Sequence, residues 1–260
     1  MSIAFVAAWL VGVGLVAVAC TRPGRPVQPA CRALRAPALR AACTAGVAIA
    51  VTGAALAQAP ADPVDNLERT AQAFVAYEEG RIEDAQRLYL LAASAGDARA
   101  AYNVAVIRLG QDTDHPSEAE ALGYLEASAQ AGFALAQHML ASLHERGWFV
   151  PRSQEAAVRW YRLAAEQGNA DAQLALATQY FLGRGTTRDY REAARWYEKA
   201  AEAGDAGAQY IIASMYENGT GIEVDDDKAL GWYGAAARQG DIAADLKAKA
   251  LAGRLARERR

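Results

Sequence analysis

The sequence predicts an all-α protein, a right-handed α-α superhelical solenoid of stacked antiparallel helix pairs. Three observations carry the prediction. Glycine recurs at a step of 36, at Gly96, Gly132, Gly168, Gly204 and Gly240. Trp160-Tyr161, Trp196-Tyr197 and Trp232-Tyr233 keep the same step, as do the alanine files Ala85, Ala121, Ala157, Ala193, Ala229 and Ala100, Ala136, Ala172, Ala208, Ala244. The chain is 53% hydrophobic but only 8% aromatic, with alanine, the best helix former, supplying much of the apolar content. Self-similarity at this period marks units that cannot bury their apolar faces alone and must stack on their neighbours.

Residues 1–61 form a leader. Ile3 to Cys20 is an unbroken apolar run near the minimum length for a membrane span. Five arginines follow (Arg22, Arg25, Arg32, Arg35, Arg40), then a weakly apolar run from Ala41 to Ala59 that ends in small residues. That order fits a secretory signal peptide over Arg32–Ala59, cleaved after Ala57 or Ala59, with translation starting downstream of Met1. A membrane hairpin of residues 3–20 and 41–59, or a lipoprotein signal ending at Cys20, are the other two readings. All three carry the repeats across a membrane. The expected location is therefore periplasmic or membrane-anchored facing the periplasm, with secretion as the alternative. Membrane contact is expected only through residues 3–20 and 41–59.

The first unit spans 62–96. Pro63 behind Asp62 suits a helix start, and helices are predicted at about 64–78 and 82–95, joined by Glu79-Gly80-Arg81. Four further units follow at 97–132, 133–168, 169–204 and 205–240. First helices are predicted at 98–109, 134–145, 170–181 and 206–217, and second helices at 118–131, 153–167, 189–203 and 225–239. Ser117, Ser153, Asp189 and Asp225 stand at the N-cap register of the second helices, and the terminal glycines serve as left-handed stops. Residues 241–260 form a capping helix, about 242–257, whose Lys247, Lys249, Arg254 and Arg257 suit an end that faces water.

Chemistry is sparse. Cys20, Cys31 and Cys43 all precede the repeats, which therefore need no disulfide. His115, His138 and His144 lack the spacing of a zinc helix, so no metal or cofactor is expected. The glycines of Gly183-Arg184-Gly185 and Gly219-Thr220-Gly221 have no P-loop lysine after them. Glu223, Asp225, Asp226 and Asp227 lack the alternation of a calcium loop and read as an N-cap with helix-dipole acids. No catalytic triad or cysteine nucleophile can be assembled, so the chain reads as no enzyme. Without the leader's arginines, 22 basic residues face 30 acidic ones, a balance of −8 that disfavours nucleic acid.

The combined pattern resembles the Sel-one-like repeat of the tetratricopeptide-like superfamily. The unit 169–204 carries Ala172-Gln173, Leu176-Ala177, Tyr180, Gly183-Arg184-Gly185, Glu192-Ala193, Trp196-Tyr197, Ala200-Ala201 and Gly204, and the likeness extends over about 82–245. The unit 62–96 is nearer to a plain tetratricopeptide pair. The unit 97–132 departs most, with Gln111-Asp112-Thr113-Asp114 in place of the glycine loop and Tyr124 in place of tryptophan. The resemblance implies a concave groove lined by the first helices. Its expected lining is Tyr102, His138, Leu174 and Tyr210; then Val106, Ser142, Thr178 and Ser214; then Glu145, Arg146, Phe181, Glu217 and Asn218. The implied function is an exported bacterial scaffold holding a protein or peptide partner. A regulator or enzyme of peptidoglycan metabolism and a cytosolic signalling regulator are the alternatives.

Overall fold

The computed structural model describes residues 63–110 and 116–259. The leader readings, the Asp62 cap, the Gln111–Asp114 loop and His115 lie outside them. The described residues form eleven helices and no strand: α1 (Pro63–Glu78), α2 (Ile82–Ser94), α3 (Ala98–Gly110), α4 (Pro116–Gln130), α5 (Ala134–Arg146), α6 (Gln154–Glu166), α7 (Ala170–Leu182), α8 (Tyr190–Glu202), α9 (Ala206–Asn218), α10 (Asp226–Arg238) and α11 (Ile242–Glu258). None of them is long and apolar enough to cross a membrane. Each helix packs on its chain neighbours, so the chain is an all-α solenoid.

Alanine sets the spacing. Both alanine files named above are 0% exposed at all ten positions. A methyl group at each crossing lets helix backbones approach closely, and larger side chains fill the space beside it. Tyr161, Tyr197 and Tyr233 are buried next to these files, and Trp196 with them. The core runs as overlapping clusters along the stack rather than as one centre.

The joints between units use one residue twice. Gly204 lies at φ 98°, and its N–H reaches Ala201 O while the N–H of Asp205 reaches Ala200 O. This is a Schellman stop, and it satisfies carbonyls at the helix end. The Asp205 side chain then accepts from Ala208 N at 2.6 Å and so starts α9. Asp97, Asn169 and Asp241 do the same for α3, α7 and α11. These first-helix caps are absent from the sequence reading. Phe133 occupies the same position without a side-chain cap, and packs edge-on against Tyr102 at 5.4 Å instead.

Ser153, Asp189 and Asp225 cap the second helices as expected. Ser117 does not hold that position: α4 already begins at Pro116, and proline, lacking an N–H, suits a first helical turn. At the C-terminal end Lys249 and Arg257 face water, but Lys247 and Arg254 turn inward. They pair with Glu217 at 3.1 Å and Asp226 at 2.8 Å, and Arg259 pairs with Asp227 at 2.8 Å. The acidic first turn of α10 is thus balanced by the capping helix.

Buried glutamines bond the carbonyls that also accept from the stop glycines. Gln137, Gln173 and Gln209 donate Nε2 to Ala129, Ala165 and Ala201 O at 3.0, 3.2 and 3.1 Å. Gln167 and Gln239 in turn donate to the Oε1 of Gln137 and Gln209, at 2.7 and 2.9 Å. In the unit between them the donor position is Ala203, and Gln173 Oε1 is left buried without a partner.

Two stability measurements follow from this packing. Gly204 has open space where a Cβ would stand, whereas a Cβ on Gly221 would overlap the Tyr190 carbonyl. In urea unfolding, Gly204→Ala should cost about 1 kcal/mol for its positive φ alone, and Gly221→Ala about 1–3 kcal/mol more for the overlap. Equal losses would refute the packing role of Gly221. Ala203→Gln supplies the donor that Gln173 lacks and should raise stability by about 1 kcal/mol; an unchanged or lower melting temperature would count against the network.

Candidate first-helix binding face

The expected groove residues come from α3, α5, α7 and α9, and the structure divides them by what they touch. Tyr102 is only 9% exposed and sits in the core with Phe133. It presents little surface to a partner, and its replacement would first damage packing. Glu145 accepts from Tyr161 Oη at 2.7 Å and from Gln179 Nε2 at 2.8 Å. Glu217 accepts from Tyr233 Oη at 2.9 Å and from Lys247 Nζ at 3.1 Å. Thr178 hydrogen-bonds Tyr197 Oη at 3.0 Å and donates to Leu174 O at 2.9 Å. These three side chains hold the second-helix tyrosines, so their first task is structural. The tyrosines of the three Trp-Tyr pairs and Trp196 are buried in the packing, whereas Trp160 and Trp232 are half-open.

The electrostatics agree with this assignment. Burial pushes the Tyr161 and Tyr233 phenols well above the ordinary range, and the hydrogen bond to a carboxylate raises each further. Burial also pushes the Glu217 carboxyl up, but hydrogen bonds from Tyr233 and Lys247 and the charges of Lys247 and Arg254 outweigh it, and the group titrates below its usual range.

What remains presented is a row of half-buried side chains. Val106, His138, Leu174, Phe181 and Tyr210 are all partly covered and partly open. The ring of His138 lies 5.7 Å from Tyr161, that of Tyr210 meets Tyr233 edge-on at 5.5 Å, and Phe181 meets Tyr190 edge-on at 5.1 Å. Ser142 is also half-buried. Ser214 and Asn218 bond each other, with Asn218 Nδ2 donating to Ser214 O at 2.7 Å. Arg146 is exposed and lies over the Trp148 ring at 4.8 Å. Among the described residues no group of three or more His, Cys, Asp and Glu could hold a metal ion.

Trp148 and Phe149 are missing from the expected site, and both are 47% exposed. The sequence did carry a signal. They stand where the next two units have Arg184-Gly185 and Thr220-Gly221.

His138 gives this face a pH signature. Burial lowers its pKa from the ordinary value, with the charge of Arg146 acting the same way against Asp171 and Glu145. Between that lowered value and the unfolded value of about 6.5, the unfolded chain binds a proton that the folded chain refuses. Stability therefore falls as pH drops through this window. His138→Gln should flatten that part of the profile of melting temperature against pH; an unchanged slope below neutrality would show that His138 does not contribute.

Comparison with known proteins agrees with this architecture. A family model described as the Sel1 repeat matches residues 70–97, 98–133, 134–169, 170–205 and 206–241. A Sel1 repeat protein from Oxalobacter formigenes is 29% identical with a TM-score of 0.64, over 69% of this chain and 74% of that one. A protective antigen of uropathogenic Escherichia coli strains displaying an SLR fold is 29% identical with a TM-score of 0.63. That match covers 70% of this chain but only 40% of the antigen. No curated protein matches the chain. Five matched units, joined by glycine stops and spaced by buried alanines, place the chain in the Sel1 repeat family, whose members generally serve as non-catalytic scaffolds for protein–protein interaction.

Proposed function

We propose that this chain is an exported scaffold that holds a protein or peptide partner on the concave side formed by α3, α5, α7 and α9. One observation carries the reading. The stacking contacts use the second-helix tyrosines, Glu145, Glu217 and Thr178, and leave His138, Leu174 and Tyr210 partly open at the 36-residue step. Such a row of aromatic and aliphatic surface with a mixed polar border suits a peptide or protein surface. Export rests on the leader of residues 1–61, whose arginine-rich, apolar, small-residue order fits delivery across a membrane.

The test is site-specific crosslinking in cells. A photoreactive residue at Leu174 or Tyr210 should trap a discrete partner, and one at Arg195, exposed on α8, should not. Leu174→Ala with Tyr210→Ala should reduce capture about tenfold or more, as expected when truncation removes interface anchors, with helicity retained. Identical adducts from the Leu174 and Arg195 positions, or capture that falls only in step with helicity, would overturn the assignment.

A further inference from the structure

Three turns follow first helices in one register: Gly147-Trp148-Phe149, Gly183-Arg184-Gly185 and Gly219-Thr220-Gly221. Their third residues all take positive φ, at 60°, 66° and 73°. Glycine is required at Gly185 and Gly221, because a Cβ there would overlap the backbone of Gln154 and Tyr190. The first turn instead puts a phenylalanine in the left-handed region, which bulky residues avoid. Core packing does not offset that strain, since Phe149 and its neighbour Trp148 both lie open to solvent.

Arg146 lies over the Trp148 ring, and three more arginines stand in this turn and the next. Arg146, Arg152, Arg184 and Arg188 are all exposed, and none forms an ion pair among the described residues. The stretch 146–152 contains no acid. The close approach of Gly185 to Gln154 sets the second turn against the start of α6, so the two basic turns adjoin. Arg188 lies 5.5 Å from the ring of Tyr190, which is itself exposed. This basic, aromatic edge stands out in a repeat region whose overall balance is −8. The next turn along, with Glu223 and Asp225 to Asp227, is acidic.

We propose that this edge docks reversibly on an anionic lipid bilayer, with Trp148 and Phe149 entering the headgroup region and the four arginines meeting lipid phosphates. Tryptophan partitions to the membrane interface, and each arginine near an anionic surface adds attraction. Both rings are half-exposed on a turn. A flexible acidic peptide would have to be ordered on binding there, whereas a bilayer is already an extended surface. The docking site shares Arg146 with the end of the first-helix face and otherwise lies on the turns that follow α5 and α7.

The experiment uses the full chain with vesicles of phosphatidylcholine, alone or with a third replaced by phosphatidylglycerol. Brominated lipids report which tryptophans reach the acyl boundary. Trp148 should be quenched in the anionic vesicles at low salt and released at half-molar salt, and the Trp148→Phe variant should lose that increment of quenching. Each Arg→Gln change at Arg152 or Arg188 should weaken the salt-sensitive component about fivefold. The double variant Trp148→Ser, Phe149→Gly restores the glycine of the neighbouring turns, so it should fold normally and lose the component altogether. The leader is common to every variant and cancels in the comparison. Equal quenching of wild type and Trp148→Phe, or quenching independent of phosphatidylglycerol, overturns the proposal. So does protection of Trp148 by a soluble acidic peptide but not by vesicles, which would assign the edge to a protein ligand.

Discussion

The close passage of helices over alanine is the constraint on which the rest of the solenoid depends. A side chain larger than a methyl group at Ala193 or Ala208, both fully buried, would separate two helices and break the register of every unit beyond. Close approach brings a second requirement, because it removes water from the helix ends. The carbonyls of Ala129, Ala165 and Ala201 therefore need partners from within the protein. The stop glycines supply one partner to each, and Gln137, Gln173 and Gln209 supply a second from the following helix. Small residues at the crossing and long amides at the helix end are two consequences of one geometry.

The joint explains why the period is kept so strictly. At Gly204-Asp205 a helix stop and a helix start overlap within two residues, and no slack remains between them. Inserting one residue would rotate the next helix by about 100° and turn its alanine file away from the stack. The first-helix-to-second-helix loops are held by contact with the preceding unit as well, at Gly185 and Gly221, and the units differ there only in what they present: Gly147-Trp148-Phe149, Gly183-Arg184-Gly185 and Gly219-Thr220-Gly221 share a backbone shape but not a surface.

This division decides what could be read from sequence. The alanine files and the terminal glycines were legible because stacking imposes them at every unit, the Trp-Tyr pairs because they recur in three, and helix ends fall within a few residues of expectation. Asp97, Asn169, Asp205 and Asp241 escaped notice as caps because each directly follows a stop glycine and looks like part of the turn. Glu145 and Glu217 read as groove residues because the resemblance alone placed them there. Only the tertiary placement of Tyr161 and Tyr233 shows them engaged. The exposure of Trp148 and Phe149 was hidden for the converse reason: aromatic residues in an apolar repeat are usually core.

The unit at 169–204 shows how neighbours compensate for one another. It has Phe181 where the flanking units have Glu145 and Glu217, and Ala203 where they have Gln167 and Gln239. Its Tyr197 turns to Thr178 instead of a carboxylate, and its Gln179, 1% exposed, reaches back to Glu145 of the preceding unit. Gln173 and Gln179 both keep an Oε1 without a partner. In exchange, Trp196 is buried, whereas Trp160 and Trp232 in the flanking units are half-open. The polar ties thus vary between units while the apolar register holds, and Glu145 and Glu217 each serve donors from two neighbouring helices. Stability in a stack is a sum over such neighbour terms, and here they differ from unit to unit: Glu145 and Glu217 hold the tyrosines at 133–168 and 205–240, while Thr178, Gln179 and Glu198 make the ties of 169–204.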